Sequence, residues 1–179
     1  MPIQPYCRFR KLPDPMPTFR TTRHVAHSPG RMFDLVADVE RYPEFLPFCK
    51  SLVVKRRSVD EDGVETVVAA MSVGYKAINE NFTSRVKLDR KRMRIVAEYI
   101  DGPFSYLDNR WSFMPDTKHG PDGAAVEFYI TYEFKSRMLQ LVAGAVFDRI
   151  FRIFSEAFEA RADAVHGVPA LVQASSGGL

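Results

Sequence analysis

The 179-residue chain has only two cysteines, Cys7 and Cys49, a formal net charge of only +3, and no apolar run approaching the roughly 18 residues of a membrane-spanning helix. Each shortage excludes something. Cys7 falls in a predicted tail and Cys49 beside a predicted loop, so no structural disulfide is expected, which fits a reducing compartment. Without a spanning segment or the apolar h-region of a secretory signal, the chain is expected to be soluble. The small net charge means that any basic partner surface must be local. There is no glycine-rich phosphate loop and no nucleophile elbow. His24 and His27 are three apart on a predicted strand and face opposite sides. His119 and His166 sit near a loop and a helix end, with no cysteine or carboxylate at ligand spacing, so no metal site is expected.

What is present reads as one globular domain. Hydrophobic residues make up 46% and charged residues 26%, enough to bury a core at this length without disulfides or metals. Residues 1–17, with Pro2, Pro5, Pro13, Pro15 and Pro17, are expected to form a flexible extension, and Met16 is an alternative start. The domain is expected to span 18–167, and 168–179, ending in Ala174-Ser175-Ser176-Gly177-Gly178, to form a flexible tail.

Within the domain, Phe19–Ala26 reads as a strand, and Ser28-Pro29 opens a helix carrying Met32, Phe33, Val36 and Val39 at helical spacing. The prolines of Tyr42-Pro43-Glu44-Phe45-Leu46-Pro47-Phe48 limit the next segment to a short helix and loop. Six strands follow, at Cys49–Val59, Val64–Val73, Ile78–Leu88, Met93–Ile100, Tyr106–Met114 and Ala125–Phe134. In the fifth of these Leu107, Trp111 and Phe113 share a face opposite Tyr106, Asp108, Arg110 and Ser112. In the sixth Val126, Phe128, Ile130, Tyr132 and Phe134 oppose Glu127, Thr131, Glu133 and Lys135. A single helix is predicted over Arg137–His166, with an apolar stripe of Leu139, Val142, Ala143, Val146, Phe147, Ile150, Phe154 and Phe158. A sheet with one apolar face needs a cover, and this helix is the only long apolar stripe. The predicted class is α+β: a curved antiparallel sheet of about seven strands around a long C-terminal helix, with two short helices after the first strand. A space between curled sheet and helix is where an apolar ligand would sit.

Arg41-Tyr42-Pro43-Glu44-Phe45-Leu46-Pro47-Phe48-Cys49, Gly102-Pro103-Phe104-Ser105-Tyr106-Leu107-Asp108-Asn109-Arg110-Trp111-Ser112-Phe113 and Tyr132-Glu133-Phe134-Lys135 carry a resemblance. The chain resembles, over about residues 16–166, the coenzyme Q-binding and ribosome-association-toxin branch of the START-like, helix-grip (polyketide cyclase/dehydrase) superfamily. It departs at Phe48, where the family usually has tryptophan, so an indole N–H donor is lost. The resemblance implies a non-enzymatic protein that binds ubiquinone or a related isoprenoid in a hydrophobic cavity and supports respiratory electron transfer. It implies no cofactor beyond that bound ligand. The place implied is the cytoplasm, peripheral to the inner membrane, or the mitochondrial matrix side in a eukaryote. The toxin branch implies instead a ribosome-binding protein that blocks subunit association, and the shared fold an aromatase/cyclase-type enzyme.

Candidate ligand contacts are Tyr42, Phe45, Leu46 and Phe48 as a lid or as simple packing, and Phe82, Phe104, Leu107, Trp111, Phe128, Phe147 and Phe151 as apolar walls. Phe113, Ile130 and Phe154 belong to the same apolar set. Asn109 is polar yet in phase with Leu107 and Trp111. It offers a hydrogen bond to a quinone carbonyl, or a bulge flips its phase, or it bonds backbone. Glu80, in phase with Phe82, Ser84, Val86 and Leu88, is the one in-phase carboxylate an enzyme would use. Basic runs at Lys55-Arg56-Arg57, at Arg85 and Lys87, and at Arg90-Lys91-Arg92-Arg94 are solvated faces, or meet anionic lipid headgroups or ribosomal RNA.

Overall fold

Thr18–Val25 (β1) and Cys49–Val59 (β2) follow one another in sequence yet form opposite edges of one seven-stranded sheet in the computed structural model, which describes residues 16–168 apart from 77 and 145. Between them lie Glu65–Tyr75 (β3), Ile78–Asp89 (β4), Arg94–Asp101 (β5), Phe104–Pro115 (β6) and Ala124–Phe134 (β7). The order is β1-β7-β6-β5-β4-β3-β2, with every neighbouring pair antiparallel. The predicted extension lies outside the described residues except for Met16 and Pro17, and the tail lies outside them beyond Val168.

The connection between the two edges is helical. Ser28 caps Pro29–Ala37 (α1), its hydroxyl accepting from Arg31 N at 3.4 Å, and Pro29 takes the first turn, where no N–H is needed. A 3₁₀ turn, Val39–Arg41, and the short helix Tyr42–Phe45 (α2) complete the crossing. Met32, Phe33, Leu35 and Val36 bury one face of α1 in a cluster with Val25, Ile95, Phe113 and Val126, closing one end of the curl. At that end the hairpin turns are made as the sequence predicts. Asp60 accepts from Val64 N at 2.8 Å with Gly63 at φ 82°, and Asp89 accepts from Arg92 N at 3.0 Å.

The alternation of β7 is realised: Val126, Phe128, Ile130, Tyr132 and Phe134 are all buried on the inner face. Thr131, assigned to the wet face, is buried as well. β1 pairs alongside it, and the Thr18 hydroxyl donates to the Thr131 hydroxyl at 3.2 Å.

The single helix predicted over 137–166 is two helices, Arg137–Gly144 (α3) and the 20-residue Phe147–His166 (α4). The ends pull in different directions. Ser136 starts α3, with Gln140 N donating to its carbonyl at 2.9 Å, and the Gln140 side chain accepts from Phe134 N at 2.9 Å, tying α3 back to the end of β7. α4 begins by laying Phe147 on Tyr132, rings stacked at 4.4 Å. Gly144, a residue that costs a helix interior about 1 kcal/mol, ends α3 between these anchors. Of the predicted stripe, the side chains of Val142 and Ala143 lie outside the described residues.

Candidate ligand-binding cavity

The inner faces of β2 to β7 and the apolar face of α4 do not meet everywhere, and they leave a cavity of about 240 Å³. Its walls are the inward residues of each strand, such as Met71 of β3, Phe82 and Val86 of β4, Ala97 of β5, Leu107 and Trp111 of β6 and Phe128 of β7. α4 contributes Phe147, Phe151, Phe154 and Phe158 at helical spacing. A volume just below the roughly 300–1,000 Å³ of ordinary small-molecule sites suits a compact head group with the first part of an apolar tail.

The predicted contact residues Tyr42, Leu46, Phe48, Phe82, Phe104, Leu107, Asn109, Trp111, Phe128, Phe147 and Phe151 all stand on the cavity wall. Phe45 does not. Its ring packs behind the wall residues Tyr42 and Phe158, edge-on at 5.9 Å and 5.3 Å, and lies 5.3 Å beneath the Arg161 guanidinium. Phe113 likewise turns to Phe33, 5.6 Å away, in the closed end.

The aromatic segment therefore divides between the two roles left open for it. Tyr42 is a pin: its hydroxyl donates to Val36 O at 2.6 Å, and burial pushes the phenol far above its usual range. Phe48 stands at the mouth, edge-on to Tyr75 at 4.9 Å and 6.4 Å from Phe154. It holds φ 67°, a left-handed conformation costly for a bulky residue, while its carbonyl accepts from Gly74 N at 2.9 Å. Cys49 follows, buried, its thiol pushed up to about 11 by that burial.

Gly102 sets the opposite lip. At φ 136°, a Cβ there would come within 2.7 Å of Asn81 O and Phe82 Cβ, so only glycine lets the β5–β6 turn press on β4 and bring Pro103 and Phe104 to the cavity. Phe104 then stacks on Phe134 at 4.6 Å.

Polar groups on the wall are few. Asn109 faces the cavity, so its phase is not flipped, and it bonds backbone. Its Nδ2 donates to Tyr129 O at 3.0 Å, and its Oδ1 accepts from the Trp111 indole N–H at 2.9 Å. One N–H of the amide is left for a ligand. Glu80 and Ser84 are half-buried on the wall of β4, and neither has a side-chain partner among the described residues.

Sequence reasoning missed the walls from α1, β2 and β3, including Val36, Leu52 and Met71. β3 is apolar on both faces, so its period carried no sidedness, and the stripe of α1 reads equally as core.

The predicted basic runs are largely engaged elsewhere. Arg57 pairs with Glu65 and with Glu40 at 3.2 Å, Lys87 with Glu98 at 3.0 Å, Arg90 with Asp34 at 2.6 Å and Arg92 with Asp89 at 2.8 Å. His24 pairs with Asp116, and His27 with Asp163 at 2.6 Å. Among the described residues no group of three or more His, Cys, Asp or Glu is arranged to hold a metal, and no helix is long and apolar enough to cross a membrane.

Comparison with known proteins agrees with this architecture. The ribosome association toxin RatA of Escherichia coli K12 is 30% identical over 151 residues, 84% of this chain and 90% of its own length. The mitochondrial coenzyme Q-binding protein COQ10 of Drosophila melanogaster is 36% identical over 135 residues, 75% of this chain and 53% of that protein. The solution structure of an 18 kDa protein from Caulobacter crescentus superposes with a TM-score of 0.71 at 35% identity, covering 86% of this chain and 100% of that one. The family model for polyketide cyclase/dehydrase and lipid transport matches residues 25–159. With its curved sheet, gripped helix and apolar cavity, the chain belongs to the polyketide cyclase/dehydrase and lipid transport family.

Proposed function

We propose that the protein binds an isoprenoid quinone, in the first instance ubiquinone, in this cavity and carries it for respiratory electron transfer, as a binding protein that performs no reaction of its own. The observation that carries the reading is the wall itself. Aromatic and aliphatic side chains from six strands, β2 to β7, and α4 converge on one space, and Asn109 is fixed among them with an N–H to spare. An isoprenoid tail needs only such walls, at about 25 cal/mol per Å² of apolar surface buried. A quinone carbonyl needs one donor. Similarity to a coenzyme Q-binding protein over three quarters of the chain supports the same choice. The place of action follows the ligand: the cytoplasm against the inner membrane, or the matrix side in a mitochondrion. Solvent extraction of protein freshly purified from a quinone-rich host tests the reading. A quinone near one per chain, identified by mass and by its ultraviolet change on borohydride reduction, is expected, and a repeatedly empty extract refutes it.

A second reading, binding to the ribosome, is favoured by the similarity to RatA along 84% of the chain. The outer sheet face offers Arg20, Arg94 and Arg110 beside Tyr106 and Tyr129, although Arg110 is held by Asp108 at 2.6 Å and Arg20 faces Glu127 at 3.8 Å. A sucrose-gradient profile of ribosomal subunits unchanged by excess protein eliminates it. An aromatase/cyclase-type activity would fall to Glu80, the one carboxylate on the cavity wall among the described residues, with Glu80→Gln as its test.

A further inference from the structure

The two ends of the molecule treat their charges and their apolar side chains differently. At the end closed by α1, the cations of the hairpin turns are consumed by neighbouring acids, as with Arg90–Asp34 and Arg92–Asp89. The cavity opens at the other end, where the β3–β4 hairpin, the β5–β6 turn and α3 converge, with Tyr75, Pro103, Leu139 and Val146 at its edge. There Lys76, Arg137 and Arg149 are exposed, and none has a carboxylate partner among the described residues. Lys76 lies over the Tyr75 ring at 5.5 Å, and Lys135 donates to Gly102 O at 3.0 Å. Of the acids at this end, Glu133 is occupied by the Ser105 hydroxyl at 2.9 Å, and Asp101 and Asp148 stand in solvent.

α3 presents a second anomaly at the same place. While Leu139 turns into the cavity, Met138 and Leu141, three residues apart on one face, are 75% and 77% exposed. They are the most exposed large apolar side chains among the described residues, and Ile100 near the end of β5 is 42% exposed. Two such side chains are far too little for a stable dimer, which buries roughly 1,200–2,000 Å². They are enough to wedge a helix into a lipid headgroup layer when cations beside them meet phosphate.

We propose that α3 and the rim around it are a docking surface for an anionic phospholipid bilayer. Met138 and Leu141 enter the boundary between headgroups and acyl chains, and Lys76, Arg137 and Arg149 lie among the phosphates. The inference rests on the reading that the cavity takes a membrane-soluble isoprenoid. Such a ligand hardly exists in water, so a mouth pressed to the bilayer lets it move between two apolar phases without crossing solvent.

The test is flotation of the full chain with phosphatidylcholine vesicles and with vesicles containing 30% phosphatidylglycerol. The wild type is expected to float with the anionic vesicles only, and less as salt shortens the screening length. Met138→Glu with Leu141→Glu is expected to lower the bound fraction about tenfold or more. Arg137→Glu with Arg149→Glu, which alters only exposed heads, should do the same, while Lys55→Glu with Arg56→Glu on β2 should change it less than about twofold. Any of four results overturns the proposal: no wild-type binding to anionic vesicles, undiminished binding by both rim variants, loss through the β2 variant instead, or self-association that the α3 variant abolishes without vesicles. Quinone content separates this outcome from the ligand reading. A quinone-loaded α3 variant that no longer floats upholds both, and an empty wild-type extract fails the ligand reading whatever the vesicles do.

Discussion

The indole N–H of Trp111 donates to Asn109 Oδ1 at 2.9 Å, and the other end of the same amide donates to the carbonyl of Tyr129 across the β6–β7 pair. Asn109 thus locks the ring that meets Phe128 at 4.6 Å and Phe158 at 5.3 Å, joining the sheet wall to the helix wall.

Replacing Asn109 by Leu leaves the Trp111 N–H and the Tyr129 carbonyl without these partners. A loss of at least about 1–3 kcal/mol is expected in urea unfolding. Trp111 is the single tryptophan, so its emission reports the same event and should move to shorter wavelength as the indole bond is lost. An unchanged unfolding midpoint would contradict the locking role.

Tyr42 predicts an alkaline weakness. Burial lifts its phenol pKa, so the folded value lies above the unfolded one, near 10. The fold favours the neutral form. That contribution is complete below about pH 10 and is lost as pH rises beyond it, because the unfolded chain then gains by ionising. Tyr42→Phe should cost about 1–3 kcal/mol at neutral pH, since Val36 O loses its donor, and should flatten the fall in stability above pH 10. A variant with the wild-type alkaline slope would show that other groups set it.

Phe48 carries two opposed effects, backbone strain and a ring at the mouth. Both Phe48→Ala and Phe48→Gly remove the ring, but only Gly relieves the strain. The Gly variant should therefore be more stable than the Ala variant by about 1–2 kcal/mol, and both should release ligand faster than the wild type. Equal stabilities in denaturant would contradict the left-handed conformation.

The strands were legible because each β7 position alternates between Val, Ile or aromatic and polar, and because hairpins such as Asp60-Glu61-Asp62-Gly63 carry their own turn chemistry. The break between α3 and α4 was not. Leu139, Phe147 and Ile150 keep helical phase straight through it, and the anchors that cause it, Gln140 to Phe134 N and Phe147 on Tyr132, are contacts between segments. Parity placed Leu107, Asn109 and Trp111 on the cavity wall, but it had no hold on Phe45 and Phe48. Their separate fates depend on the direction of a two-proline loop. The role of Met138 and Leu141 was hidden for the same reason as the break: in one continuous helix they read as its ordinary solvent side.

Titration of Trp111 fluorescence with a short-tailed ubiquinone tests the central claim most directly, because the tryptophan is part of the cavity wall and a bound quinone quenches it by contact. Ala97→Leu, on the same sheet wall in the neighbouring strand β5 and directly across from Asn109, fills the space and serves as the comparison. Saturable quenching in the wild type and its loss, by about tenfold in affinity or more, in a folded Ala97→Leu variant is the result expected when about one extra side chain of volume is taken from the site. Quenching that does not saturate, or that the variant shares in full, would mean that the quinone does not occupy the cavity.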